Sequence, residues 1–200
     1  MERNNTDRRV RRTRLLLQEA IVILILEKAY YKITVQDIID RADVGRSTFY
    51  AHFADKEALL VSTFDDLASD LDHRIEGTAE TQHLLHAEAY FIHAQERNDF
   101  YQAMIEGGGM DLVLETGRRH IEQSIQVHLR QMEVESDTLA TPLPVLINFL
   151  TDSLLSLLTW WIAEKMPYPP AQMAEMYEQL VMPGFQSLLP TSGSTLFSPP

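Results

Sequence analysis

No cysteine occurs among the 200 residues, which excludes a disulfide framework, a thiolate metal site and a cysteine nucleophile. That composition suits a reducing compartment and sets the expectation of a cytoplasmic protein. Met1 to Arg14 is polar and Arg-rich with no apolar segment, unlike a secretory signal. An unbroken apolar run of about 20 residues, the length needed to cross a bilayer, is also missing. The nearest approach, Val145 to Ile162, carries Asn148, Asp152, Ser156 and Thr159 at helical spacing, which makes one narrow polar stripe. It reads as a helix buried on most sides in a soluble protein, with no membrane partner. No segment alternates with period two over a strand's length, and there is no tandem repeat. Gly107-Gly108-Gly109 lacks the Lys-Ser/Thr and the preceding strand of a phosphate loop; a hinge between helices, with a switching role, is the reading it supports.

Basic charge is scarce as well. Lys and Arg number 17 against 29 Asp and Glu, a net charge of −12, which taken whole argues against nucleic acid. The distribution reverses that argument. Residues 1–60 hold 11 basic and 9 acidic side chains, a net of +2, and residues 61–200 carry −14. Six of the basic residues are Arg3, Arg8, Arg9, Arg11, Arg12 and Arg14. Such a run can be a solvated flexible tail. A basic head on an acidic body also suits a protein that meets DNA with one end.

What is present is helical punctuation. Thr13 to Tyr31 predicts a helix of about five turns, although Ala20 to Leu26 is rich in β-branched residues and by itself could be a buried strand. Thr34 is suited to cap a helix through Ala42, with Asp37 placed to complete a capping box. Asp43-Val44-Gly45 breaks it, aspartate tolerating the left-handed conformation. A short helix, Arg46 to His52, follows, and Asp55 caps a long one that fades near Gly77. Further helices are predicted over Gln82–Arg97, Phe100–Glu106, Asp111 to about Glu135, Thr141–Pro142 through Ile162, and from Pro170 onward with a kink at Pro183-Gly184. Thr191–Pro200 is Ser, Pro and Gly rich and reads as disordered.

Two short helices, a tight turn and a supporting helix describe a helix-turn-helix. The second helix would enter the major groove. Ile38, Ala42, Val44, Phe49 and Phe53 lock the pair from inside, leaving Arg46, Ser47, Tyr50 and Ala51 outward. Arg46 can engage a guanine bidentately, and Ser47 and Tyr50 can bond to bases or phosphate.

The pattern Thr34-Val35, Ile38, Ala42, Val44, Thr48, Tyr50, His52-Phe53, Lys56 and Leu59 resembles the DNA-binding signature of the TetR family of bacterial repressors, over about residues 13–60. The resemblance implies an all-α fold: a three-helix DNA-binding domain, then a variable helical domain that binds a ligand and dimerises. It implies DNA contact from Thr34, Val35, Gly45, Arg46, Ser47, Thr48, Tyr50, His52 and Lys56, with Arg46 and Ser47 nearest the bases. Ala29, Asp43, Gly45 and Ala51 depart from the family pattern, and the last two remove possible phosphate partners. A structural side chain packed on Phe53 is the alternative reading of His52.

The expected organisation is therefore a DNA-binding domain over 1–55, a regulatory and dimerisation domain over 56–190 and a tail over 191–200. The expected function is a repressor released from a near-palindromic DNA operator by a small-molecule effector. Tyr90, His93, Phe100, Tyr101, Met104 and Arg118 are pocket candidates by position and chemistry. The last two helices, about 142–166 and 170–189, are apolar on more faces than one core requires, which fits a homodimer built across a two-fold axis. Trp160, Trp161 and Met166 are candidate anchors there. A DNA-binding protein of the same family that answers to a protein partner instead of a ligand is a second reading. A metal-carboxylate bundle enzyme is a third, since Asp70-x-x-His73 and Glu80-x-x-His83 each place a carboxylate and an imidazole on one face. The expected helix break at Gly77 separates those pairs, so no metal, cofactor or enzymatic activity is expected.

Overall fold

The computed structural model describes residues 2–76, 86–131, 139 and 141–188, with the side chains of 2–7, 70 and 72–76 left aside. Nine α-helices and one 3-10 turn are described: α1 (Glu2–Glu27), the turn Tyr30–Lys32, α2 (Val35–Ala42), α3 (Arg46–His52), α4 (Lys56–Glu76), α5 (Ala87–Glu96), α6 (Asn98–Gly107), α7 (Met110–Gln131), α8 (Leu143–Ala163) and α9 (Pro170–Leu188). No strand occurs among the described residues. The all-α fold is as expected, and the β-branched run of α1 is helical because Leu17, Ile21, Leu24 and Ile25 lie on its buried face. The helix begins earlier and ends earlier than its apolar pattern suggested, since Ala29 leaves helical geometry (ψ 135°) to start the 3-10 turn. The Arg-rich segment is thus helical backbone, with Arg8, Arg9, Arg11 and Arg12 exposed.

Two compact units divide the chain. The first comprises residues 1–67 and 98–116, and the second 68–97 and 117–200. The boundary expected at 55/56 falls inside the first unit, which also takes in α6 and the start of α7. The reason is packing: Leu59, Leu60 and Phe64 of α4, with Phe100 and Met104 of α6, share one core with Leu17, Ile21 and Phe49. Both α2 and α6 lie against α1.

In the second unit α5 packs on α8 and α9. Trp161 is fully buried, edge-on to Phe91 with ring centres 5.3 Å apart, and its indole N–H donates to the Tyr168 carbonyl at 2.9 Å. Lys165 and Met166 both adopt left-handed backbone (φ 59° and 57°) to end α8, and α9 starts at Pro170 as expected of a first-turn proline. By length and composition α8 could cross a membrane. Here Leu146, Ile147, Leu150, Leu154, Trp161 and Ile162 are buried inside the unit instead.

His128, on α7, is buried with its ring 5.7 Å from that of His86. Burial first, and the second imidazole next, push its pKa below the ordinary 6.5. The unfolded chain then binds this proton more readily, so the stabilisation is complete above about pH 6.5 and fades as pH falls towards the folded value. The thermal midpoint should drop between pH 7.5 and 5.5, and drop less in His128→Gln; equal pH dependence in the two would remove His128 as the cause.

Candidate nucleic-acid interface

The first unit builds a helix-turn-helix residue by residue as its sequence directs. Thr34 caps α2: its hydroxyl accepts from the Asp37 N–H at 3.2 Å, and its own N–H donates to the Asp37 carboxylate at 2.8 Å. The capping box is complete. Lys28 pairs with the same carboxylate at 2.7 Å. That ammonium chiefly, then the Thr34 hydroxyl and N–H, lowers the Asp37 pKa to about 2. The pair therefore keeps its contribution above the ordinary carboxylate range and loses it only as pH falls towards 2. Thr34→Ala should lower unfolding stability by about 1 kcal/mol, measured by urea titration at pH 7; an unchanged midpoint would show the cap contributes nothing.

Asp43 closes α2 in the left-handed region (φ 52°, ψ 49°), the role its residue type suggested. Gly45 precedes α3 without a side-chain cap. A Cβ there would meet only Thr48 Oγ1 at 3.7 Å and Ser47 Oγ at 4.0 Å, so serine would fit where glycine stands.

Burial then sorts the two faces of α3. Phe49 is fully buried and Phe53 nearly so, with Ile38 and Ala42 beside them and Val44 packed against the cluster. Arg46, Ser47, Tyr50 and Ala51 are exposed. Tyr50 stands edge-on to Phe49, ring centres 5.3 Å apart, and the Arg46 guanidinium lies 5.7 Å from the Tyr50 ring centre. The i, i+4 pair thus forms one stacked unit on a rigid base. Thr34 is exposed, and Val35 and Thr48 are half-buried at the edges of this surface. His52 is half-buried, its ring 6.4 Å from that of Phe53.

Three polar contacts went unread in the sequence because they join distant residues. Arg14 donates to Ser62 Oγ at 2.6 Å and lies 5.1 Å from the Phe53 ring centre, so it braces α1 against α4 and stands apart from the exposed arginines. Gln18, buried, donates to Asp66 at 2.5 Å. Arg41 of α2 pairs with Glu27 at the end of α1. Only the charge of Arg14 and the amide of Gln18 beside the inward-facing Leu17 and Ile21 could have hinted at the first two; Arg41 and Glu27 are exposed and gave no such signal.

Lys56, expected to contact phosphate, is half-buried at the start of α4. Its ammonium points inward, donating to the carbonyls of Ile33 at 2.9 Å and Tyr30 at 3.1 Å.

The six pocket candidates divide between the units. Phe100, Tyr101 and Met104 belong to the first: Phe100 stacks edge-on to Phe64 at 5.3 Å, and Met104 is fully buried in the core. Tyr90, buried, and His93 and Arg118, half-buried, belong to the second. Arg118 pairs with Asp152 and, at 3.9 Å, with Glu122. An open groove lined by Leu24, Glu27, Lys28, Asp37, Asp40 and Arg41 is polar and crossed by the two ion pairs already described. No cluster of metal-ligating side chains occurs among the described residues; the side chains of Asp70, His73, Glu80 and His83 lie outside them.

Comparison with known proteins agrees with the geometry. Residues 17–63 match the model of the bacterial regulatory proteins of the tetR family, and residues 84–183 match that of a transcriptional regulator C-terminal region. An uncharacterized HTH-type transcriptional regulator of Bacillus subtilis, YxbF, is 44% identical over 69 residues, which are 34% of this chain and 18% of that protein. The match thus spans less than a fifth of that relative's length. The crystal structure of a TetR transcriptional regulator from Streptococcus agalactiae superposes with a TM-score of 0.66 at 28% identity, covering 88% of this chain and 97% of that one. The Bacillus subtilis regulator FadR, solved in complex with stearoyl-CoA, shares the fold at 15% identity, with a TM-score of 0.59 over 84% of this chain and 96% of that one. These relatives are regulators and not enzymes. With an N-terminal helix-turn-helix and a matching C-terminal region, the chain belongs to the TetR family of transcriptional regulators.

Proposed function

We propose that this protein is a cytoplasmic, homodimeric repressor that leaves a near-palindromic operator when a small molecule binds its second unit. One observation carries the DNA-binding part: α3 buries Phe49 completely while presenting Arg46, Ser47 and Tyr50 on a single exposed face. A fully anchored helix with a polar outer face is what insertion into a major groove requires. Thr34, Val35, Gly45, Thr48 and His52 would meet the phosphates on either side. The exposed arginines of α1 supply local positive charge on an otherwise acidic chain.

Dimerisation is supported by exposed large apolar side chains on the last two helices. Val145, Phe149 and Trp160 follow one face of α8, 56%, 57% and 45% exposed, and Leu180 of α9 is 76% exposed. Such a stripe buries itself when a two-fold axis brings a second copy against it. Two recognition helices would then reach successive major grooves roughly 34 Å apart.

The effector reading is supported by the family's C-terminal region and by the acyl-CoA held by the FadR neighbour. Within the second unit, Tyr90, His93 and Arg118 are the side chains proposed to meet it. The decisive experiment is selection of bound duplexes from a random pool. A near-palindrome with half-sites about 10 base pairs apart supports the reading; recovery of no common sequence overturns it.

A further inference from the structure

We propose that Lys56 and the glycine end of α6 clamp the segment Ala29–Ile33 from two sides. By this clamp, and not by touching phosphate, Lys56 would serve DNA recognition. The inference rests on the operator-binding reading above for its consequence, and on the first unit alone for its geometry.

An ammonium has three protons to donate. Two of those on Lys56 are committed to the carbonyls of Tyr30 and Ile33, and the charge lies 4.4 Å from the Tyr30 ring centre. Turning outward to a phosphate would abandon both carbonyls and the ring. Ile33 immediately precedes Thr34, the cap of α2. Where Lys56 holds the Ile33 carbonyl therefore sets where α2, the turn and α3 begin.

The opposite side of the segment meets α6. Gly108, at φ 77°, and the hydrogen bond from the Gly109 N–H to the Met104 carbonyl at 3.1 Å end this helix in the manner of a glycine cap. A Cβ on Gly107 would lie 2.8 Å from the backbone nitrogen of Tyr30 and 3.2 Å from the Ala29 Cα. Backbone atoms cannot swing aside as a side-chain end can. A Cβ on Gly109 would come within 3.0 Å of the Tyr30 ring. The triple glycine is thus a seat in direct contact with the segment that Lys56 pins, and Tyr30, 6% exposed, is held between them. Any displacement of the α6 end must move Tyr30, break the Lys56 bonds or lift off the segment.

The first test needs neither a variant nor DNA. The chain has four lysines, Lys28, Lys32, Lys56 and Lys165, and amine acetylation followed by mass spectrometry reads each one. Lys56 should react at least tenfold more slowly than Lys32 and Lys165 in the DNA-free protein, with no added protection from DNA. Reaction at the rate of Lys32, with protection only by DNA, would overturn the clamp.

The second test uses Lys56→Met and Gly107→Ala on the selected operator and on an unrelated duplex. Each variant should lose at least tenfold in operator affinity, stay within twofold on the unrelated duplex, and keep the wild-type salt slope. The double variant should be little worse than the poorer single one, because both release the same segment. A slope shallower by about two, one for each subunit, with equal loss on both duplexes makes Lys56 a phosphate ligand and sinks the proposal, as does an unchanged operator affinity. Should wild-type protein prefer no duplex, the operator reading fails, while the acetylation rates still decide the clamp.

Discussion

Arg46→Ala should weaken operator binding by between about 30-fold and about 25,000-fold. A bidentate arginine–guanine contact discriminates by about 1–3 kcal/mol, and a two-fold dimer loses it twice. Tyr50→Ala should come close to the same loss, because it removes the ring on which the Arg46 guanidinium rests, 5.7 Å from its centre. Tyr50→Phe keeps that ring and should retain most of the affinity. The pair is therefore non-additive: Arg46→Ala with Tyr50→Ala should lose less than the product of the single effects. Both side chains are exposed, so helical content and thermal midpoint should stay at wild-type values. Fluorescence anisotropy with a labelled operator reads all four variants. Wild-type affinity in Arg46→Ala would remove α3 from the role assigned to it.

The second large effect lies at the far end of the chain. Phe149→Asp should convert the proposed dimer to monomers at micromolar concentration. Burying one phenylalanine is worth about 1.5–3 kcal/mol, the two-fold axis counts it twice, and the carboxylate would have to be dehydrated as well. The dimer dissociation constant should rise at least a hundredfold, about 2.7 kcal/mol or more. Phe149 is 57% exposed in the single chain, so the fold of the subunit itself should survive. Sedimentation equilibrium measures the change. Operator affinity should fall with it, since two tethered heads bind far more tightly than two free ones. A Phe149→Asp protein that stays dimeric would move the interface elsewhere.

The helix-turn-helix was legible in the sequence because its signals act within a few residues. Thr34 and Asp37 cap across one turn, Asp43 takes the left-handed position its short polar side chain permits, and Phe49 alternates with Arg46 and Tyr50 at helical spacing. The unequal division of charge needed no structure at all. The arginine-rich start offered no such local rule. A solvated tail was the reading open there, with the helix expected only from Thr13, and the backbone is helical from Glu2.

Contacts between distant parts of the chain were beyond that reach. Phe100 and Met104 have the chemistry of a ligand pocket, but α6 packs on α1 and places them in the core of the first unit. Arg14 belongs to a basic run in sequence and to a brace against Ser62 in space. Gly107 to Gly109 reads as a hinge because glycine loosens a chain, and it serves as a seat because glycine also lets two backbones touch.

The sequence by itself thus determined that this protein is helical, where its recognition helix starts and stops, and which family it resembles. Those features depend on caps, periodicity and residue type over three or four positions. Only the tertiary structure decided which way Lys56 points. Its partners are carbonyls 23 and 26 residues away, and a flexible four-carbon side chain chooses between water, phosphate and protein by what the packed neighbours leave open.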